Sequence, residues 1–233
     1  MSEPVPTAKT QAAERKTPFV ILLWLLVYNF ASLGGWAYVL FLLVQSLVQT
    51  NGDFTRSYAA VGDVVAVVQT GAVFEIAHAL VGFVKTPVFT TAVQVASRLL
   101  LIFVTQHFEV PLIRENGAFT TMVLAWSITE VVRYSYYGLN LLGSQPGALV
   151  WARYTFFYVL YPLGAGSEFW LVLKASDLAK EQYGIGAQAL AMIIIYTYPI
   201  GFWVMYSHMI KQRRKYLGAG KKDAKAPETK KTQ

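Results

Sequence analysis

The sequence contains no cysteine among its 233 residues. This absence excludes disulfide bonds, catalysis by a thiolate and metal sites with cysteine ligands. Charged residues are also scarce, at 14% of the chain, whereas about a quarter is typical of soluble domains. The three histidines, His78, His107 and His208, lie far apart and lack the spacing of metal ligands. We therefore expect no metal site.

Hydrophobic residues, by contrast, make up 55% of the chain, and they occur in long runs separated by short polar breaks. A helix needs about 20 predominantly apolar residues to cross a bilayer. The sequence therefore predicts an all-α polytopic membrane protein, a bundle of six transmembrane helices. The six spans are expected at about residues 18–47, 58–84, 88–108, 118–142, 148–173 and 185–210.

The two ends of the chain are polar and carry most of its net charge of +7. We predict a disordered cytosolic tail at 1–17, a transmembrane catalytic domain at 18–210 and a basic cytosolic tail at 211–233. Basic residues flank the first and last spans, so the positive-inside rule places both ends in the cytosol. An even number of spans agrees with this. The charge distribution argues against a nucleic-acid partner and for contact with anionic membrane lipid.

The last four residues read Lys-Lys-Thr-Gln, with Lys230 and Lys231 at the fourth and third positions from the end. This arrangement matches the dilysine retrieval signal of endoplasmic-reticulum membrane proteins. In a lysine-rich tail it is equally compatible with a solvated run of charges.

Several ionisable residues fall inside the predicted spans, where an unpaired charge is costly. Glu130 and Arg133 are three residues apart and are expected to pair on one helix face. Glu75 and Arg98, on neighbouring spans, form a second expected pair, and Gln94 lies one turn from Arg98. Structural salt bridges that order the bundle explain both pairs.

The fifth span contains the stretch RYTFFYVLYPLGAGSE at 153–168. Tyr161 and Glu168 are about two turns apart on nearly the same helix face, with a rise between them of about 10 Å. Pro162 removes the hydrogen bond to the Tyr158 carbonyl. The stretch also contains two glycines, which let a ligand approach the backbone. Packing and a functional notch are both open interpretations of this pattern.

Four parts of the sequence together resemble the very-long-chain (3R)-3-hydroxyacyl-CoA dehydratase family, formerly called protein tyrosine phosphatase-like. They are YNFASLGGWAYVL at 28–40, FEIAHALVGFVKTPVFTTAVQVASRL at 74–99, WSITEVVRYSYYGLN at 126–140, and YPLG followed by Glu168. The resemblance covers roughly residues 28–211. A thiolate phosphatase is excluded because the chain has no cysteine.

The resemblance implies a six-span endoplasmic-reticulum enzyme that uses no cofactor and acts in very-long-chain fatty-acid elongation, which supplies sphingolipid precursors. Its catalytic pair falls on Tyr161 and Glu168. The implied partners are the substrate 3-hydroxyacyl-CoA, the elongase condensing enzyme, the ketoacyl-CoA reductase and the enoyl-CoA reductase. The residues implied in substrate binding or support are Arg153, Gly164, Glu75, Gln94, Arg98, Glu130 and Arg133.

Dehydration of such a substrate needs a base for the C2 proton and an acid for the departing C3 hydroxyl. Because apolar surroundings disfavour the charged form of a carboxylate, they make it a stronger base. We assign this role to Glu168 and proton donation to Tyr161; the reverse roles, or a relay, remain open. Backbone groups near Gly164 and Gly166 are candidates to stabilise the thioester oxygen.

The acyl chain is expected in an apolar tunnel between spans, with coenzyme A at the cytosolic mouth. Arg153 either extends to the membrane surface or meets a phosphate, and Lys85 and the basic flank after residue 210 are further candidates for phosphate contact. Two alternative functions are a catalytically inactive scaffold for elongation enzymes and a small transporter. The two halves of the chain show no convincing repeat, which argues against the transporter.

Overall fold

The structure, a computed structural model, describes residues 18–223, with side chains as far as residue 217. Within these residues the chain forms nine α-helices, one short 3-10 turn at Phe54–Arg56, and no strand. The helices are α1 (Phe19–Gln49), α2 (Ser57–Thr70), α3 (Val73–Leu80), α4 (Val88–His107), α5 (Pro111–Arg114), α6 (Gly117–Leu141), α7 (Gly147–Arg153), α8 (Phe157–Tyr183) and α9 (Ile185–Asp223).

Side-chain contacts between helix ends show that the chain runs up and down one bundle. At one end, which we call the Ser57 end, the starts of α2 and α6 meet, because the hydroxyls of Ser57 and Thr120 are 2.9 Å apart. At the other, the Tyr216 end, Tyr154 stacks on Tyr216 with ring centroids 4.8 Å apart. The chain thus passes through the bundle as α1, α2–α3, α4, α6, α7–α8 and α9.

Five of these passes are long and apolar enough to cross a membrane. They are Phe19–Gln49, Phe54–Leu80, Val88–His107, Gly147–Tyr183 and Ile185–Leu217. The predicted class, an all-α polytopic membrane protein, is confirmed. The predicted number of six spans is not fully confirmed, because α6 is not among the five.

The position of α6 explains its lower hydropathy. This helix packs against both α1 and α8, and it contributes Trp126, Glu130 and Tyr134 to the buried residues. Since α6 faces other helices, it does not need the apolar surface that lipid contact requires. Its 25 residues give a length of about 37 Å, which is sufficient for a full crossing.

Three predicted helix boundaries differ from the structure. Residues 174–184 were expected to form a charged loop, but α8 continues to Tyr183 because Leu171, Val172 and Ala175 form a buried apolar face. Helix α9 likewise continues past residue 210 to Asp223. The break in the fifth span lies at residues 154–156, whereas Pro162 lies inside α8.

The core lies between α1, α2, α4, α6 and α8. Trp36 of α1 meets Trp126 of α6 edge to face, with centroids 6.4 Å apart. A Cβ atom at Gly35 would lie 3.1 Å from the side chain of Val68, so the glycine allows α1 and α2 to approach closely. The predicted tail at 1–17 and the Lys230-Lys231 signal lie outside the described residues.

Candidate active site

A network of charged side chains lies inside the bundle, toward the Tyr216 end. Glu130 of α6 is 1% exposed and accepts hydrogen bonds from two arginines, Arg98 of α4 and Arg133 of α6. The Arg133 Nε atom is 2.5 Å from the Glu130 carboxylate, which confirms the predicted pair three residues apart. The short distances indicate charge-assisted hydrogen bonds.

The second predicted pair, Glu75 with Arg98, does not form among the described residues. Arg133 instead donates two hydrogen bonds to the Glu75 carboxylate of α3, with nitrogen–oxygen distances of 2.5 and 3.1 Å. Arg98 pairs with Glu130. The Tyr134 hydroxyl donates to the same Glu75 carboxylate at 2.6 Å. The planar fork of an arginine suits this two-point contact. Gln94 is exposed, and its side chain does not extend the network within the part of the chain described.

The charged members of the network are two carboxylates and two guanidinium groups, so its net charge is zero. They belong to Glu75, Glu130, Arg98 and Arg133. The network joins α3, α4 and α6, and nearby Trp24 of α1 donates to the buried ring of His78 at 2.8 Å. His78 is therefore a hydrogen-bonded core residue. The network has the form of a structural clamp rather than a reaction centre.

Glu168 of α8 is held differently. The indole nitrogen of Trp126 donates to one carboxylate oxygen at 2.7 Å, and the Tyr198 hydroxyl of α9 donates to the other. Among the described residues Glu168 forms no ion pair. Its link to the charged network is indirect, since the Arg98 guanidinium lies 5.2 Å from the Trp126 ring. This carboxylate therefore depends on neutral donors.

Tyr161 faces the same helix, α9, as Glu168 does. Its ring stacks on Phe202 and Tyr206, with centroid distances of 5.2 and 6.2 Å. Phe202 and Tyr206 follow Tyr198 at intervals of four residues, so the three aromatic residues form one stripe on α9. Both members of the predicted pair thus face this stripe, as the same-face prediction requires. No hydrogen bond joins Tyr161 to Glu168 among the described side chains.

The proline in the predicted motif has a local consequence. Pro162 cannot donate to the carbonyl of Tyr158, which is its partner position in a helix. The Tyr206 hydroxyl of α9 donates to that carbonyl at 3.5 Å. The proline therefore adds a link between α8 and α9 beside the ring of Tyr161.

The two glycines of the motif do not fit the expected role of exposing backbone to a ligand. Gly164 is buried against α6, where an added Cβ would lie 3.4 Å from the Ala125 side chain and 4.0 Å from Trp126. Gly166 is open, but both glycines lie inside α8, whose backbone N–H groups serve the helix itself. Gly164 is therefore a packing position between α6 and α8.

Arg153 lies away from Glu168, at the Tyr216 end. Its guanidinium donates to the Tyr137 hydroxyl at 3.1 Å and lies 4.4 Å from the ring centroid of Tyr136. Its Nε atom is buried and has no hydrogen-bond partner. The structure thus separates Arg153 from Tyr161 and Glu168, whereas Arg153 and Arg133 both lie near the ring of Tyr137.

Two residues that contact Glu168, Trp126 and Tyr198, were missed by sequence reasoning. Trp126 begins the motif WSITEVVRYSYYGLN. Tyr198 begins the sequence YPIG at 198–201, which repeats the pattern YPLG at 161–164. This repetition is a feature of the sequence that marks the segment containing Tyr198.

Two surface hollows lie away from this site. One, of about 300 Å³, lies at the Ser57 end between His107 and Glu181, and another lies on the outer face of α9 between Trp203 and Lys211. Both are open, and neither is lined by Tyr161 or Glu168. The acyl tunnel expected between spans stays a prediction.

The chain is similar in sequence to several known proteins. The chain is 44% identical over 122 residues to a probable very-long-chain (3R)-3-hydroxyacyl-CoA dehydratase of Schizosaccharomyces pombe, covering 52% of this chain and 58% of that protein. It is 32% identical over 206 residues to human very-long-chain (3R)-3-hydroxyacyl-CoA dehydratase 2, covering 83% and 80% of the two chains.

A plant relative extends the similarity over most of both proteins. The dehydratase PASTICCINO 2 of Arabidopsis thaliana is 34% identical over 213 residues, which are 86% of this chain and 95% of that protein. No solved structure matches the chain. The family model described as protein tyrosine phosphatase-like protein, PTPLA, matches residues 69–219, a stretch that contains Tyr161, Glu168 and Tyr198. On these matches, the chain belongs to the PTPLA family.

Proposed function

We propose that this protein removes water from a 3-hydroxyacyl-CoA to give the trans-2-enoyl-CoA, in very-long-chain fatty-acid elongation. Membership of a family whose curated relatives are named as dehydratases of this class supports the reaction. The site assignment rests on the surroundings and hydrogen-bond partners of the Glu168 carboxylate. It is a carboxylate within an apolar helix bundle, bound by Trp126 and Tyr198 and not by a cation.

Glu168 acts as the base in this proposal. It takes the C2 proton of the substrate, and the electrons of the C–H bond form the new double bond as the C3 hydroxyl leaves. A carboxylate has about four lone-pair positions, so the two hydrogen bonds leave acceptor capacity for the proton. Trp126 and Tyr198 fix the direction in which the carboxylate points.

Tyr161 donates its phenolic proton to the departing hydroxyl, which leaves as water. Glu168 then returns its proton through solvent to the phenolate, so the enzyme regains its starting state. The two residues are separated along α8 by a rise of about 10 Å, so the reach of the two side chains and the bend at Pro162 have to close this distance around the substrate. The substrate has to lie along α8, with C2 near Glu168 and C3 near Tyr161.

The finer cellular assignments belong to the same proposal. The protein resides in the endoplasmic-reticulum membrane with both termini in the cytosol, where acyl-CoA is available. The arrangement of passes supports this, because α1 begins and α9 ends at the same end of the bundle. The condensing enzyme, the ketoacyl-CoA reductase and the enoyl-CoA reductase of the cycle are its expected partners, since they supply and consume its substrate and product.

The test is dehydration of a long-chain 3-hydroxyacyl-CoA by the purified chain in detergent, with Tyr161→Phe and Glu168→Gln compared side by side. Loss of a general acid or base lowers turnover by about 100-fold to 10,000-fold. Matched controls are Tyr196→Phe, which removes a 76% exposed phenol from α9, and Glu181→Gln, which removes an exposed carboxylate from α8. Both controls should retain activity.

Three results would contradict parts of the proposal. If the Tyr161 and Glu168 variants fold and keep full turnover, the two residues are not catalytic, although the dehydratase activity stands. If a control variant loses as much activity as the variant to which it is matched, the loss reflects damage to folding and not loss of a catalytic group. Folded wild-type protein that is inactive over a range of chain lengths would favour the scaffold function instead.

A further inference from the structure

Arg153 differs from the arginines that precede it in the described chain. The four that precede it in the described chain pair with carboxylates: Arg56, Arg98, Arg114 and Arg133. Arg153 has no such partner among the side chains described, and its Nε atom is buried without any hydrogen bond. A half-buried guanidinium without an anion is costly in a membrane protein. A ligand that brings its own negative charge would remove this cost.

The surroundings of Arg153 are aromatic. Its guanidinium lies 4.4 Å from the ring centroid of Tyr136, 4.7 Å from that of Tyr137 and 5.8 Å from that of Tyr154. Tyr154 in turn stacks on Tyr216 of α9. Rings of this kind hold a guanidinium through cation–π contact without neutralising its charge.

A second unpaired arginine lies on the adjoining turn of α9. The Arg213 guanidinium is 5.5 Å from the ring centroid of Tyr158, and its Nε atom donates to the Thr155 hydroxyl at 3.5 Å. It also forms no ion pair among the described side chains. Two cations therefore lie near the junction of α7, α8 and α9, and neither has a carboxylate bound to it among the described side chains.

We propose that Arg153 and Arg213 bind the phosphate groups of the coenzyme A part of the substrate. This inference rests on the proposed function. Arginine is suited to such a site because its fork binds phosphate oxygens in pairs and its plane stacks on aromatic rings. The tyrosines beside the two arginines that are at least partly exposed offer faces for the adenine ring: Tyr136, Tyr137, Tyr158 and Tyr216.

The path from this site to Glu168 suits the rest of the molecule. Tyr158 and Glu168 are separated along α8 by a rise of about 15 Å. The α9 residues that line this stretch are Tyr206, Phe202 and Tyr198, all of them neutral. The pantetheine arm that joins the phosphates to the thioester is also uncharged, so it would meet no opposing charge on this wall.

The experiment measures binding of free coenzyme A to the full chain by titration calorimetry in phosphatidylcholine nanodiscs. Arg153→Gln and Arg213→Gln are each expected to weaken binding by about tenfold to a hundredfold, the range for a hydrogen bond to a charged group. Arg56→Gln, at the Ser57 end, should bind coenzyme A as wild type does. Pantetheine, which lacks the phosphates, should bind weakly to all four proteins.

In turnover, the two variants should raise KM more than they lower kcat, because the phosphates do not change during the reaction. If Arg153→Gln does not fold, Arg213→Gln decides the question. Unchanged coenzyme A binding by a folded variant overturns the proposal. The proposal is also overturned if a variant binds coenzyme A as wild type does but no longer binds phosphatidylserine added to the nanodiscs. The two arginines would then bind a lipid headgroup. Because binding needs no catalysis, coenzyme A binding without dehydration would overturn only the proposed function.

Discussion

At the scale of single residues, the charges inside the bundle divide into two kinds. Glu75, Arg98, Glu130 and Arg133 satisfy one another, and removing one of them leaves a buried partner uncompensated. Glu168 has only neutral partners, so its charge is available for chemistry. The difference lies in the hydrogen-bond partners, which sequence spacing alone does not reveal.

The Tyr198 hydroxyl is one of two groups that hold the Glu168 carboxylate, and its removal tests that role. We expect Tyr198→Phe to lower kcat by about tenfold to a hundredfold, since a hydrogen bond to a charged group contributes about 1.5–3 kcal/mol. KM should change little, because Tyr198 orients the base and does not bind coenzyme A. Steady-state kinetics with the purified protein measures both quantities.

Tyr196→Phe is the matched control, two residues away on the lipid-facing side of α9. A thermal unfolding midpoint recorded for each protein separates orientation from folding. If Tyr198→Phe unfolds earlier but keeps its kcat, Tyr198 serves only to pack α9 against α8.

Residue-level prediction from the sequence succeeded where one helix holds both partners. Glu130 and Arg133 pair because their spacing is fixed by the helix. Glu75 and Arg98 lie on different helices, and their partners depend on how each helix is rotated in the bundle. Hydrophobic periodicity gives the buried face of a helix but not the neighbour that this face meets. The contacts of Tyr198 and Trp126 with Glu168 were missed for the same reason.

At the scale of elements, α8 is the helix on which the site depends. One face, with Gly164, packs closely on α6, and another, with Tyr161 and Glu168, faces α9. Trp126 links the two faces, since it lies near Gly164 and donates to Glu168. The distance between α6 and α8 therefore controls where the Trp126 indole lies relative to the Glu168 carboxylate.

Replacing the two glycines of α8 by leucine should have opposite effects. Gly164→Leu places a side chain against Ala125 and Trp126, and overpacking of this kind costs about 1–3 kcal/mol. A Cβ atom added at Gly166 meets nothing within 4 Å, and leucine is a better helix former than glycine by up to about 1 kcal/mol. The thermal unfolding midpoint in detergent should fall for the first variant and hold or rise for the second. Equal midpoints would mean that Gly164 does not set the approach of α6 and α8.

The positions of the long helices could be predicted because apolar runs are read directly from sequence. The ends of α8 could not be predicted in the same way. The segment 174–184 contains many charges, and this concealed an apolar face that continues from Leu171 to Ala175. Helix α6 shows the converse effect: it was predicted as a span from its apolar residues, yet its central position allows a polar content that lowers its hydropathy.

At the scale of the whole molecule, six passes bring the start of α1 and the end of α9 to one end of the bundle. The connection between α6 and α7 lies at this same Tyr216 end, whereas α5 and the start of α6 lie at the Ser57 end. The proposed coenzyme A site is also at the Tyr216 end. An acyl-CoA that arrives from the cytosol can reach it only if this end faces the cytosol.

The absence of native cysteine makes this orientation directly measurable, because any single introduced cysteine is the only thiol in the chain. We choose two exposed positions that flank α6, Glu115 at the Ser57 end and Ser144 at the Tyr216 end, together with Thr232 near the C-terminus. In sealed microsomes, a membrane-impermeant maleimide should label Ser144→Cys and Thr232→Cys. We expect Glu115→Cys to react only after the membrane is permeabilised, since a crossing by α6 would place it on the opposite side from Ser144. Labelling of Glu115→Cys and Ser144→Cys from the same side would show that α6 does not cross, and it would place one mouth of the bundle on the wrong side for acyl-CoA.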